Sequence, residues 1–216
     1  MLILAMVLAV AWQAAPTRAP SPCAAPRAVR LLPVDQAATQ PDFFTFRARL
    51  QSAIARRDAA AVLAVADPGI RTSFGDDEGL ETFRIKLRDP QATLWVDLAT
   101  ALALGGAFQS PDSFVAPYVF AAWPKGLDSF ECAAVTGDRV RVRAAAASGS
   151  AVVGSVSYEI VQVLPAQRES ATTHVRLASG RTGFIASAFV RSPIDYRAIF
   201  QKTGGQWRLR AFVAGD

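Results

Sequence analysis

The sequence predicts an α+β protein, in which a mainly helical N-terminal region is followed by a small β-barrel and a terminal β-hairpin. Three observations predict this class. Apolar residues recur at helical spacing from Phe43 to Val65. From Ala133 onward, short β-prone runs alternate with Gly, Ser and Pro. Near the C-terminus two further β-prone runs flank Gly204-Gly205, a pair that suits the tight turn of a hairpin.

The N-terminal residues predict export. An uncharged apolar run from Leu2 to Val10 is too short to cross a bilayer, which takes about 20 residues. Small residues follow it, as in a signal peptide, although no Lys or Arg precedes it. We therefore predict a signal peptide over residues 1–15 and a periplasmic or exported protein. Membrane contact is expected only through this signal or through an uncleaved anchor.

Residues 16–41 are rich in Pro and Ala and are interpreted as a linker. This linker contains Cys23, and the second cysteine of the chain is Cys132. Two interpretations stay open: a disulfide that ties the linker to the barrel, or two free thiols. Neither cysteine has the neighbouring ligands that a zinc site needs, so no metal is expected.

Residues 42–128 are interpreted as a helical region. A first helix starts near Asp42, which follows a proline, and breaks near Arg57. Two more helices are predicted by apolar residues at helical spacing, namely Leu80, Phe83 and Leu87 in one and Leu94, Leu98, Ala101 and Leu102 in the other. An aromatic segment over residues 114–124 is expected to pack on these helices.

The β-prone part carries motifs in a fixed order: Arg141-Val142-Arg143, a loop of small residues, Val153-Gly154, Ile160-Val161-Gln162-Val163 and Gly180-Arg181-Thr182-Gly183-Phe184-Ile185. In this order they resemble the bacterial SH3 (SH3b) family over residues 135–191, roughly a quarter of the chain. The resemblance implies an SH3-like barrel over residues 133–192, with Phe184 inside it. The chain departs from the family in its alanine-rich loop and in having Thr173-His174 where a Trp is usual.

The resemblance implies a non-enzymatic envelope protein that uses its SH3b domain as a binding module. Its ligand is a cell-wall peptide or glycan, as in peptidoglycan, or a partner protein of the envelope. The candidate ligand-binding residues are Arg141, Tyr158, His174 and Phe184. The net charge of +5 also favours acidic partners. Nucleic acid is not expected, because no aromatic residues are interleaved with the arginines.

An alternative comes from the last part of the chain, residues 193–216. Its Gly-x-Trp-Arg-Leu pattern resembles the final strands of NTF2-like domains, so the hairpin is expected to pack back on residues 42–128. The N-terminal half would then hold a small-ligand pocket, formed by Phe74, Trp95, Tyr118 and Trp123. Another alternative is an accessory role in which the SH3b domain targets a cell-wall hydrolase.

No pattern in the sequence predicts catalysis. His174 is the only histidine, and residues 42–128 lack a nucleophile with a nearby base. The acidic run Asp76-Asp77-Glu78 lacks the alternating spacing of a calcium loop and suits the start of a helix. We therefore expect no enzyme activity, no catalytic residue, no cofactor and no metal.

Overall fold

The computed structural model describes residues 23, 28–75, 78–165 and 171–215. The predicted signal peptide over residues 1–15 lies outside these residues, as do most of the linker and the acidic pair Asp76-Asp77. In the described part the chain forms two sheets and five short helices. The helices are α1 (Pro41–Ala55), α2 (Ala59–Ala64), α3 (Leu80–Arg88), α4 (Leu94–Ala103) and α5 (Tyr118–Ala121).

A five-stranded sheet combines strands from both ends of the chain. Its strands are β1 (Ala66–Arg71), β2 (Ala107–Ser110), β3 (Ser113–Ala116), β11 (Arg197–Thr203) and β12 (Gln206–Val213). Their order is β1-β12-β11-β3-β2, with β1 parallel to β12 and the other pairs antiparallel. The C-terminal hairpin therefore occupies the middle of the sheet that the helices cover.

The hairpin forms because its turn residues permit it. Gly204 and Gly205 have φ angles of 58° and 77°, a region where a side chain would be strained. Phe200 lies opposite Leu209, and both are completely buried on the face that meets the helices. Trp207, two residues before Leu209 on β12, is buried on the same face of the sheet. Alternating apolar residues thus fix which face of the hairpin is buried.

Aromatic rings fill the space between α1 and this sheet. The ring of Phe43 on α1 lies 4.3 Å from Phe114, 5.5 Å from Phe200 and 4.7 Å from Trp207, measured between centroids. Phe108 packs edge-on against Phe43 at 5.4 Å. Close aromatic pairs of this kind are favourable beyond their buried area. The interior between helices and sheet is therefore a packed core.

A second, seven-stranded sheet is formed by the chain between β3 and β11. Its strands are β4 (Cys132–Val135), β5 (Val140–Arg143), β6 (Val152–Val156), β7 (Ile160–Val163), β8 (Thr172–Arg176), β9 (Thr182–Ala186) and β10 (Val190–Arg191). Their order is β10-β4-β7-β8-β9-β5-β6, and every pair is antiparallel.

This sheet curls around a small aliphatic core. In β5 the valines Val140 and Val142 are buried, while Arg141 between them is exposed. Gly183 lets β9 approach β5 closely, since a Cβ there would lie 2.5 Å from Val142 Cγ1. Ile185 is completely buried in the same core. Strand alternation therefore produces the inward valines and outward arginines.

A third apolar cluster joins the two sheets. Tyr118 and Val119 of α5 pack against Ala134 of β4 and Ile160 of β7. Cys23 is bonded to Cys132 in a disulfide with a Cα–Cα distance of 5.8 Å, and both cysteines belong to this cluster. The disulfide closes a sequence separation of 109 residues. It therefore ties the segment before Ala28 to the first strand of the second sheet.

The predicted fold class is wrong. The chain is mostly sheet, and the region expected to be helical supplies three strands of a mixed sheet. The second sheet is also not a closed SH3-like barrel, because β6 and β10 are edges that pair with no further described strand. The β6 edge is instead contacted by the side chain of Arg181, whose Nη1 lies 3.5 Å from the Val153 carbonyl. Phe184 is not inside a barrel either, since its neighbour Ile185 takes the inward position.

None of the helices in the described part is both long and apolar enough to cross a membrane.

Candidate functional site

A groove of about 530 Å³ lies on the seven-stranded sheet, and we call it the basic groove. It is bordered by the turn before β5, by β5 itself, by the start of β8 and by the end of β9 with the residues after it. Its lining residues are Gly137, Asp138, Arg139, Val140, Arg141, Arg143, Ser148, Ala171, Thr172, Ala186 and Phe189. Three arginines and one aspartate give this site a net positive charge.

The local backbone presents the arginines side by side. Arg141 and Arg143 point to the same side of β5, because they are two residues apart on a strand. Arg139 precedes the strand with a φ of 48°, and its amide donates a hydrogen bond to the Ser157 hydroxyl at 2.8 Å. This hydrogen bond fixes the turn before β5, and Arg139 in that turn lines the groove.

The three arginines differ in how they are paired. Arg143 donates to the Ser150 carbonyl at 2.7 Å, which anchors it to the loop that borders the groove. Arg139 Nε lies 3.3 Å from Asp138 Oδ2, although its side chain is 86% exposed. Arg141 makes no ion pair or hydrogen bond through its side chain within the described ranges. Arg141 is therefore the arginine whose charge is most available to a ligand.

The aspartate of the groove is held as an anion. A hydrogen bond from the Ser157 hydroxyl, 2.7 Å away, is the main cause that lowers the pKa of Asp138. The charge of Arg139 adds to this effect. Asp138 thus stays ionised and offsets part of the positive charge of the groove beside Arg139. Arg141 and Arg143 have no other acidic residue among the lining residues.

The rest of the groove is apolar or neutral. Phe189, which lines the groove, is 45% exposed. Ala171 and Ala186 are small and leave space beside it. A surface that combines an exposed aromatic ring with unpaired cations suits a ligand with both apolar and anionic groups.

The structure separates the four sequence-predicted site residues. Arg141 lines the basic groove. His174 and Phe184 lie opposite each other on β8 and β9 and stack at 4.5 Å between ring centroids. They share a sheet face with Arg143, which pairs with Phe184 across β5 and β9. They continue the surface beside the groove rather than line it.

Tyr158 lies elsewhere. It has a φ of 54°, its amide donates to the Gly137 carbonyl at 3.1 Å, and its carbonyl accepts from the Leu31 amide at 2.8 Å. Burial is the main cause that raises the pKa of Tyr118, and the nearby phenol of Tyr158 raises it further. Tyr158 therefore belongs to the junction between the two sheets.

Sequence reasoning missed Arg139, Arg143 and Phe189 as groove residues. The alternation of Arg and Val along β5 is the signal that identifies the two arginines with Arg141. No local pattern identifies Phe189, because its place at the groove depends on a single turn of 3-10 helix, Ser187–Phe189, that follows β9.

The four residues predicted to form a small-ligand pocket also do not converge. Phe74 is exposed, and the guanidinium carbon of Arg197 lies 5.2 Å from the centroid of its ring. Trp95 donates to the Leu87 carbonyl at 3.0 Å and Trp123 donates to the Leu127 carbonyl at 3.3 Å. Each indole N–H thus donates to a backbone carbonyl that is close to it in the sequence.

Of this set, Tyr118 lines a cavity. The cavity measures about 360 Å³ and lies where α4 and the segment before α1 meet the second sheet. Its other lining residues are Pro33, Val34, Asp35, Ala103, Leu104, Gly105 and Thr136. Asp35 accepts two hydrogen bonds of 2.7 Å from the buried Arg47, so its carboxylate is already paired.

Among the described residues, no group of three or more His, Cys, Asp or Glu side chains is placed to hold a metal ion. The basic groove offers a ligand positive charge and apolar surface.

Comparison with known proteins gives neighbours of one kind. No family model matches the chain, and no curated protein matches it. A putative calcium/calmodulin dependent protein kinase II association domain from Xanthomonas campestris is 11% identical, with a TM-score of 0.29, and the match covers 85% of this chain and 96% of that one. An NTF2-like protein of unknown function from Pseudomonas putida is 10% identical, with a TM-score of 0.28, over 83% of this chain and 87% of that one.

The predicted membership of the bacterial SH3 family is therefore wrong. No family model or curated protein supports it, and the second sheet stays open at β6 and β10. The description of the chain as an SH3-domain protein fails with it. The solved structures named above, with TM-scores of 0.29 and 0.28, establish no function for this chain.

Proposed function

We propose that this protein binds an acidic component of the cell envelope in the basic groove. The observation that carries the proposal is Arg141, an exposed guanidinium without a partner in the described ranges, placed between two other arginines in a groove of about 530 Å³. A guanidinium binds carboxylates through two parallel hydrogen bonds, so an acidic ligand supplies what these arginines lack.

The compartment is part of the same proposal. The disulfide between Cys23 and Cys132 suits an oxidising environment outside the cytoplasm. Acidic ligands that are available there include the peptide stems of peptidoglycan, which carry free carboxylates next to short apolar side chains. Phe189 at the rim of the groove would contact the apolar part, while Arg141 and Arg143 would contact the carboxylates.

The test is retention of the purified protein on peptidoglycan sacculi, compared between the wild type and Arg141→Ala. We expect the wild type to be retained at low salt and released as salt rises, because exposed charge pairs are screened. Loss of one exposed ion pair weakens binding by about fivefold. Arg88→Ala on α3 is the matched control, because Arg88 is exposed and does not line the groove.

Two results would contradict the proposal. One is the absence of retention by the wild type at any salt concentration. The other is equal retention of the wild type and of Arg141→Ala when Arg88→Ala behaves like both, because the groove would then contribute nothing.

A second candidate function is the binding of a small ligand in the N-terminal half. The cavity of about 360 Å³ lined by Tyr118, Leu104 and Thr136 favours it. A small molecule bound there would raise the melting temperature by mass action. Thr136→Val, which removes a hydroxyl from the cavity, would reduce that increase, whereas Arg141→Ala would leave it unchanged.

A further inference from the structure

Strand β6 forms one of the two unpaired edges of the second sheet. One side of β6 pairs with β5, and its other side pairs with no described strand. Unpaired backbone groups on a sheet edge are a template for another extended chain. Natural edges are usually protected by charged side chains, yet Val152 is 52% and Val153 is 43% exposed here.

Two clefts flank this edge. One of about 480 Å³ lies beside Val153 and Leu177, and one of about 370 Å³ lies beside Ser155 and Val156. Arg181 lines both clefts, so they follow the edge of β6 on either side of one guanidinium. Together they leave room for a chain to lie alongside the strand.

Arg181 indicates the charge of the occupant. Its hydrogen bond to the strand is at the limit of length, 3.5 Å to the Val153 carbonyl, and its Nη2 lies close to Gly154. It makes no ion pair within the described ranges. Arg141 lies directly opposite Ser155 on the neighbouring strand and adds a second exposed cation beside β6. Glu159 lines the cleft beside Ser155 and Val156, whereas the cleft beside Val153 has Arg181 and no acidic residue in its lining. A carboxylate on an incoming chain would therefore be attracted to the Val153 end of this edge.

From these features we propose that β6 is the docking site of an acidic peptide segment of a partner protein, which adds to the sheet as an eighth, extended strand. Its main chain would pair with the free edge of Val152–Val156, apolar side chains would cover the two valines, and a carboxylate would bind Arg181. A second copy of this chain is the poorer occupant, because pairing of two β6 strands would bring Arg181 of each copy and the net charge of +5 of each copy together.

This site lies next to the basic groove and shares Arg141 with it, so its test uses a probe that reports on backbone pairing. The probe is a fluorescein-labelled octapeptide of alternating valine and glutamate. Its control has the same sequence with alternate amides N-methylated, which removes main-chain donors without changing charge. Anisotropy measures binding, and hydrogen exchange measures which amides become protected.

We expect the unmodified peptide to bind and to slow exchange at Val152–Val156 by at least about tenfold, whereas the N-methylated peptide gives no protection. Arg181→Ala is expected to weaken binding by about fivefold, and Arg88→Ala is expected to have no effect. Both arginines are exposed, so circular dichroism is expected to show the fold of the wild type in each variant.

Four results would overturn the proposal. The first is an absence of binding. The second is equal binding of the N-methylated peptide, because charge alone would then explain it. The third is protection of Val152–Val156 without peptide that rises with protein concentration, because β6 would then pair with a second copy. Protection confined to the groove residues Arg139–Arg143 would also overturn it, while supporting the groove function.

Discussion

The phenol of Tyr118 is buried without a hydrogen-bond partner, so its removal is expected to stabilise the protein. Tyr118 is 1% exposed in the cluster between the two sheets, and no described group accepts or donates at its hydroxyl. An unsatisfied buried hydroxyl costs about 1–3 kcal/mol, and replacing it by an apolar group of the same shape can be neutral or stabilising. We expect Tyr118→Phe to raise the free energy of unfolding by about 1 kcal/mol at pH 7.

Alkaline pH enlarges the difference. Burial raises the pKa of Tyr118 to about 12, whereas an unfolded tyrosine has a pKa near 10. The unfolded chain therefore loses this proton first, and stability that is complete below pH 10 falls as the pH approaches 12. A shift of this size corresponds to at most about 2.7 kcal/mol. In Tyr118→Phe this part of the alkaline loss disappears.

Urea denaturation followed by circular dichroism at pH 7, 9 and 11 measures both effects. Within the described residues both cysteines are in the disulfide, so no free thiolate disturbs the alkaline measurements. Tyr196→Phe is the control at pH 7, because its half-buried ring stacks on Phe212 and its hydroxyl is not a buried orphan. Burial also raises the pKa of Tyr196, so this variant does not serve as the control at pH 9 and 11. If Tyr118→Phe unfolds more easily than the wild type by more than about 1 kcal/mol at pH 7, the hydroxyl has a partner and the reasoning fails.

Three further substitutions test the packing of β9 on β5, the disulfide, and the hydrogen bonds of Asp42 in the first turn of α1. Gly183→Ala would place a Cβ 2.5 Å from Val142 Cγ1 and is expected to cost about 1–3 kcal/mol in urea denaturation, whereas Gly149→Ala meets nothing within 4 Å and is the control. Cys132→Ser removes the disulfide and is expected to lower the free energy of unfolding by about 2–5 kcal/mol, an effect that reduction of the wild type should reproduce. Asp42 accepts hydrogen bonds from Lys202 and from the Trp207 indole, and the bond from Lys202 is the main cause that lowers the pKa of Asp42. The stability that this carboxylate contributes near neutral pH is therefore expected to fall as the pH drops through its pKa. Asp42→Asn should flatten this acid dependence, as followed by tryptophan fluorescence.

Local signals in the sequence predicted the elements whose geometry is itself local. Gly204-Gly205 predicts a hairpin because positive φ angles belong to a two-residue turn. Arg and Val alternate in β5 because the period of a strand is two residues. Both features require nothing from the rest of the chain, so a single sequence is enough to find them.

The sheet order depends on distant residues and could not be predicted in this way. Strand β3 has only four residues, too few for an alternation to stand out, and Phe114 in it is fixed by pairing opposite Phe200. Asp67-Pro68-Gly69 has the composition of a turn but lies within β1, an edge strand whose register with β12 shifts between Ala66 and Arg71. The chain departs from regular pairing at these three residues, and only the distant strand β12 makes the two sides parts of one strand.

The candidate site was predicted only in part for a related reason. Arg141 was found because it lies on a strand with a recognisable pattern. Tyr158 was grouped with it wrongly, since the curl of the sheet and a left-handed φ of 54° turn Tyr158 toward the junction of the sheets. Which loops converge on one face is a property of sheet curvature, and that curvature depends on contacts such as the approach of Gly183 to Val142.

The connection between the two sheets determines how ligand binding should affect stability. The chain leaves the first sheet after β3, forms the second sheet, and returns as β11, which pairs directly with β3. At the return point the Arg191 guanidinium donates to the Tyr196 carbonyl at 2.7 Å, and the Gly215 amide donates to the Ile194 carbonyl at 2.8 Å. With these contacts and the apolar cluster around Tyr118, neither sheet can unfold without exposing part of the other. A ligand in the basic groove should therefore raise the temperature of a single unfolding transition. Two separate transitions, with only one of them moved by the ligand, would show that the sheets unfold independently.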